Sequence, residues 1–117
     1  MNKLYIICLA VFSQIVLANE VKIVDVSLVS KGAQHYRVNV TLLHEDTGWD
    51  HYADGWKILD ENKKVIGQRI LHHPHVNEQP FTRSLHDVVI PEAVQFIYIR
   101  AHDKIHGDST DRKVDIN

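Results

Sequence analysis

From Val21 onward the apolar residues recur at every second position rather than at helical spacing, and a chain patterned with a period of two forms strands that bury one face. Tyr36, Val38, Val40 and Leu42 alternate with Arg37, Asn39 and Thr41, which predicts a half-buried strand over His35 to Leu43. An earlier strand, Val21 to Val29, carries Ile23, Val26 and Leu28. Its alternation slips between Ile23 and Val26, as a β-bulge would require. Ser30-Lys31-Gly32-Ala33 is the predicted turn between these two strands. Further on, Ala53 to Leu59 and Lys64 to Leu71 flank the polar run Asp60-Glu61-Asn62-Lys63 and predict a hairpin. Phe81 to Ile90, Val94 to Ala101 and Lys113 to Ile116 complete the set. The stretch Val94 to Ala101 is apolar on both faces, which marks a central strand.

About seven short strands in a chain of this length predict an all-β domain, an immunoglobulin-like antiparallel β-sandwich. Trp56, near the start of its strand, fits the tryptophan that such sandwiches bury. Ile90-Pro91 followed by Ile97, Ile99 and Ala101 resembles the approach to the sixth strand of fibronectin type III domains, although the tyrosine of that family falls on Gln95 here. This resemblance implies a sandwich of the fibronectin type III kind and carries no function with it. A second resemblance covers His73-Pro74-His75-Val76-Asn77-Glu78-Gln79-Pro80-Phe81-Thr82-Arg83 and Arg100-Ala101-His102-Asp103-Lys104-Ile105-His106-Gly107. These strings are similar to those of small exported bacterial proteins of uncharacterised function, which bring no activity to transfer.

The N-terminus has a different pattern. Met1-Asn2-Lys3 precedes an apolar run from Leu4 to Val11 that continues to Leu17, and Val16-Leu17-Ala18 offers a cleavage site after Ala18. Residues 1–18 therefore read as a secretory signal peptide. Ser13 and Gln14 interrupt the run, where a membrane span needs about 20 apolar residues. Tyr5-Ile6-Ile7 lacks the small residue that usually precedes a lipid-modified cysteine, so Cys8 is expected to leave with the signal. The mature chain, Asn19 to Asn117, is then a single domain without cysteine and is expected to be periplasmic or secreted.

Charge narrows the function classes. The mature chain has 12 Lys and Arg against 15 Asp and Glu, a formal charge of −3 with histidines neutral, which gives no basic footprint for nucleic acid. All nine histidines fall in it, so its charge can rise steeply as pH falls through their unperturbed pKa of about 6.5. The absence of mature cysteine excludes a blue-copper site and a cysteine-ligated iron centre of the superoxide reductase type.

Topology gives the histidines a place. The loop after His35–Leu43, the segment leaving Lys64–Leu71 and the loop after Val94–Ala101 all emerge at one end of an antiparallel sandwich. They carry His44 and His51, then His72, His73 and His75, then His102 and His106, seven of the nine, together with Glu45, Asp46, Asp50, Asp54, Glu78 and Asp103. Prolines stiffen His73-Pro74-His75 into an extended conformation that directs both rings to one side. His73, His75, His102 and His106 are the candidate ligands of a copper or zinc ion. Glu78 or Asp103 serves as a further ligand or as an acceptor fixing a ring tautomer. His35 and His86 map to the opposite half and are expected to be structural.

Other chemistry is poorly supplied. Asp46, Asp50 and Asp54 stand four apart rather than at the alternate positions of a calcium loop, and no serine sits in a nucleophile elbow. Phe96, Tyr98 and Arg100 share the second face of their strand and could mark an interface. The expectation is an exported, non-catalytic metal-binding protein. The alternative is an adhesion or protein-interaction module of the cell envelope, with a pH-sensing role for the same histidines also open. Glu78 would be the candidate base if the protein were a metal-dependent enzyme. Expected partners are a metal ion and an envelope protein, with no nucleic acid and no membrane span once the signal is removed.

Overall fold

The computed structural model describes residues 20–116. The expected signal peptide, its cleavage after Ala18, and Cys8 lie outside the described residues. Eight strands follow in order: β1 Lys22–Gly32, β2 His35–Leu43, β3 Ala53–Leu59, β4 Val65–Ile70, β5 Phe81–Val89, β6 Phe96–Asp103, β7 Gly107–Asp108 and β8 Arg112–Asp115. They form two antiparallel sheets, β1-β2-β5 and β4-β3-β6, and the far edge of β6 is shared by β7 and β8. The all-β sandwich expected from the alternation is the architecture observed. In the constant-type immunoglobulin order the fourth strand joins the first sheet. Here β4 stays with its hairpin partner β3, which leaves three strands opposite.

The alternation explains the core. Val38, Val40 and Leu42 of β2 face Trp56 and Ile58 of β3 and Ile97, Ile99 and Ala101 of β6, and all are buried. Burial of each large aliphatic side chain contributes about 1.5–3 kcal/mol, less the entropy of ordering it. The slip in β1 is a register shift between Ile23 and Asp25, where the bulge was expected. The turn after β1 is tighter than the pattern implied. Gly32 still pairs with His35, and the two residues between, Ala33 and Gln34, take positive φ of 53° and 71° as a hairpin of this length demands.

Two details position the site. β6 continues past Ala101 to Asp103, extending its inward series Ile97, Ile99, Ala101 by one carboxylate. Between β7 and β8 the edge of β6 is kept satisfied by Ser109. Its N–H donates to Ala101 O at 2.8 Å and its Oγ accepts from Ala101 N at 2.9 Å. The ends of β2, β4 and β6 and the starts of β3 and β5 therefore lie at one pole, the one expected to carry the histidines.

Candidate metal centre

Asp103 is fully buried at the last position of β6. A carboxylate taken out of water is costly unless strong partners replace its hydration. Oδ1 accepts the Ile105 backbone N–H at 2.8 Å. Oδ2 meets three ring nitrogens, His44 Nε2 at 2.8 Å, His51 Nε2 at 3.0 Å and His106 Nδ1 at 3.0 Å. Burial pushes the Asp103 carboxyl up. The Ile105 N–H and the His106, His51 and His44 contacts outweigh it and hold the group well below the ordinary carboxylate range.

His44 lies one residue beyond β2, pinned by its backbone N–H on Gln79 Oε1 at 2.9 Å. Its buried ring has carboxylates at both ends: Nε2 faces Asp103, and Nδ1 lies 2.6 Å from Asp46 Oδ1. Asp46 also accepts the Ala53 N–H at 3.0 Å and the His75 N–H at 2.7 Å, so one side chain ties the β2–β3 loop to β3 and to the β4–β5 segment. His51 is carried by a small turn in which the Thr47 N–H donates to His51 O at 3.0 Å and the His51 N–H donates to Gly48 O at 3.1 Å, with Gly48 at a φ of 144° that favours glycine. The His51 ring is a quarter exposed and packs edge-on against His44 and His106, each at 5.0 Å between centroids.

Lone-pair geometry gives this arrangement its chemical meaning. A carboxylate oxygen offers about two acceptor directions, yet three imidazole nitrogens crowd Asp103 Oδ2. His44, His51 and Asp103 each offer one ligand atom, and these atoms lie within 4.8 Å of one another, so the three could hold an ion between them. Around a tetrahedral ion with bonds near 2.0–2.2 Å, ligand atoms stand about 3.4 Å apart. The observed contacts of 2.8 and 3.0 Å would open by roughly half an ångström to admit it. Asp103 and the two imidazoles would then hold the ion while His106 stays on Asp103, and Asp46, 2.6 Å from His44 Nδ1, would orient that ring as carboxylates do behind histidine ligands.

The candidate ligands read from the sequence are divided by this geometry. His106 joins the cluster through Asp103. His75 arrives at the pole by its backbone: its ring stacks on Phe81 at 3.9 Å and its Nε2 faces Arg83 at 3.0 Å. His75 Nδ1 is buried without a hydrogen-bond partner, 3.9 Å from Asp46 Oδ2. Burial first, then Arg83 and His73, lowers the His75 pKa. His73 is exposed beside it, with ring centroids 4.7 Å apart, and Glu78 pairs with Arg83 at 3.3 Å. His102, one residue before Asp103, points to the opposite face of β6 and sits 2.6 Å from Asp54. His44 and His51 were placed at the pole by topology but not among the ligands. The continued inward alternation Ile97, Ile99, Ala101, Asp103 was the signal that could have promoted Asp103.

Outside the pole, His35 pairs with Asp87 at 2.6 Å, a structural contact. The second face of β6 is covered by cations: Lys63 sits over Tyr98 at 4.0 Å, Lys113 over Phe96 at 4.3 Å, and Arg100 grips Asp111. Among the described residues no helix is long and apolar enough to cross a membrane.

No family model and no solved structure matches the chain. Over 88 residues the chain is 40% identical to a protein of Halomicrobium mukohataei named "Putative lipoprotein". The similarity covers 75% of this chain and 43% of that protein, so the chain spans less than half the length of the relative it matches.

Proposed function

We propose that this is an exported, envelope-associated protein that holds one copper or zinc ion at the pole of the sandwich, with His44 Nε2, His51 Nε2 and Asp103 Oδ2 as ligands and a handling or buffering role. The observation that carries this reading is the crowding of three imidazole nitrogens on one buried carboxylate oxygen. Imidazole and carboxylate donors together suit borderline divalent ions, and three protein ligands leave a position for water or an exogenous donor. Support for the envelope comes from the apolar leader-like N-terminus and from the likeness to a protein named as a lipoprotein.

Equilibrium dialysis with metal analysis tests the reading. One copper or zinc ion per chain should bind more tightly than micromolar and be lost in His51→Ala, whose half-buried ring can be removed without emptying the core. The double variant His73→Ala with His75→Ala should retain it. Absence of binding at micromolar concentrations, or binding unaffected by His51→Ala, would overturn the assignment.

A second reading, an interaction module, is favoured by one observation. The three loops of this pole each expose a large apolar side chain: Trp49 at 62%, Val76 at 52% and Ile105 at 60%. Capture of one specific envelope protein that persists in chelator and is lost in Trp49→Ala with Ile105→Ser would favour it over metal binding.

A further inference from the structure

The His75 ring is a buried titratable group that the proposed centre does not use, with a side chain only 3% exposed. Its Nε2 lies 3.0 Å from Arg83 Nη2, and a guanidinium only donates, so Nε2 accepts and the ring proton sits on Nδ1. That Nδ1 is buried without a hydrogen-bond partner. Asp46 Oδ2 stands 3.9 Å from it, too far for a hydrogen bond, and already accepts the His75 backbone N–H at 2.7 Å. The His75 carbonyl accepts from Gln79 Nε2 at 2.9 Å, so the backbone is tied on both sides while the ring covers Phe81, itself only 2% exposed. Charged groups face the ring from three directions: Arg83 from β5, His73 and Glu78 from its own segment, and Asp46 from the β2–β3 loop.

We propose that His75 is an acid-released latch: the neutral ring fastens the β4–β5 segment over Phe81, and a second ring proton drives it out and uncovers Phe81 at the pole. The fastened site accommodates the neutral imidazole alone. A second proton would sit on Nε2 and point at the Arg83 guanidinium, setting donor against donor and cation against cation. Glu78 and Asp46 act in the opposite sense, but Glu78 is exposed and engaged with Arg83, and Asp46 Oδ2 is taken by the backbone. Burial and Arg83 therefore prevail and hold the ring below the ordinary histidine range. Released into water, the ring escapes both costs. The unfastened ring takes its proton near pH 6.5 and the fastened ring only at lower pH, so the latch is at full strength above about pH 6.5 and weakens as pH falls below it. This device acts whether or not the pole holds an ion.

Nuclear magnetic resonance of the metal-free chain in chelator tests the latch, following the His75 ring by titration and its backbone N–H by hydrogen exchange corrected for the intrinsic pH dependence. The ring should titrate below about 6.5. The opening constant read from the His75 amide should rise at least about threefold between about pH 7 and about pH 5.5, because the open state binds the extra proton. In His75→Phe, which keeps the stack on Phe81 and cannot titrate, that constant should stay within about twofold. Arg83→Gln keeps a donor and removes the charge, so the ring should titrate closer to 6.5 and the rise in opening should shrink. A ring titrating at or above about 6.5, an amide whose opening ignores pH, or an equal rise in His75→Phe would overturn the latch. Should His75→Phe fail to fold, Arg83→Gln decides alone, and an unchanged ring titration there overturns it.

Discussion

His44 Nε2 and Asp103 Oδ2 lie 2.8 Å apart across 59 residues of sequence. His44 follows β2 in one sheet and Asp103 ends β6 in the other, so this contact joins the two layers of the sandwich where the hydrophobic core stops. A buried carboxylate held by imidazoles is expensive to maintain without an ion or matched protons, and it persists here because the surrounding backbone supplies Ile105 N–H and Ala53 N–H to the same network.

Because the proposed ligands come from both layers, metal binding should stabilise the native state alone. At a free zinc or copper concentration of 100 Kd the gain is about 2.7 kcal/mol, which in a domain of this size raises Tm by about 10 °C or more. Differential scanning calorimetry should show that rise in the wild type and none in His51→Ala. A rise that survives His51→Ala would move the site elsewhere.

Asp46 acts behind the ligands. Asp46→Asn keeps the shape but leaves a single acceptor oxygen, which can serve His44 Nδ1 and Ala53 N on one side or His75 N on the other, and not both. The expected cost is about 1–3 kcal/mol in denaturant unfolding and about 10–100-fold in metal affinity. Wild-type metal affinity in a folded Asp46→Asn protein would show that His44 needs no such support.

The His75 ring contributes differently from its backbone. His75→Phe keeps the stack on Phe81 and the N–H on Asp46 while removing a buried nitrogen that has no partner. Stability should change by less than about 1 kcal/mol, the lost Arg83 contact offsetting the relief of the unpaired atom, and metal affinity should be unchanged. If dialysis showed the ion lost in this variant, the ring would be a ligand after all.

Acid stability has a traceable source outside the histidine cluster. Arg100 grips Asp111 through two contacts, at 2.7 and 2.8 Å, and its hydrogen bonding, with Lys63 adding to it, lowers the Asp111 carboxyl from 3.8 to about 2. A carboxyl depressed in the folded state stabilises it fully above the unfolded value and loses that contribution as pH falls through the folded one. Allowing for solvent screening, about 1–2 kcal/mol should therefore disappear between roughly pH 4 and pH 2. Urea unfolding of Asp111→Asn should lack this part of the pH dependence and be less stable at neutral pH. Parallel pH profiles for the two proteins would contradict it.

Much of the fold was legible because its cause is local. Val38, Val40 and Leu42 must point one way if their neighbours are to stay wet, and the slip between Ile23 and Val26 could only be absorbed by a bulge. The buried Trp56 and the gathering of histidine-bearing segments at one pole followed from strand count and direction. The composition of the site was harder to read, because His73-Pro74-His75 advertises two imidazoles together. A stiff turn fixes spacing, but not which way a ring faces once a neighbour such as Phe81 offers it an apolar surface.

Period and turn chemistry, then, determined an all-β sandwich with a histidine-rich pole, since strand patterning is enforced residue by residue along the chain. The tertiary structure decided which of those side chains meet. Strand parity separates His102 from Asp103 by a whole sheet face, although they are neighbours in sequence. Burial at the end of β6 forces the Asp103 carboxylate to recruit the donors within 3.0 Å, His106 from its own turn and His44 and His51 from the β2–β3 loop. The meetings with His44 and His51 depend on distances between segments more than 50 residues apart, which no local pattern encodes.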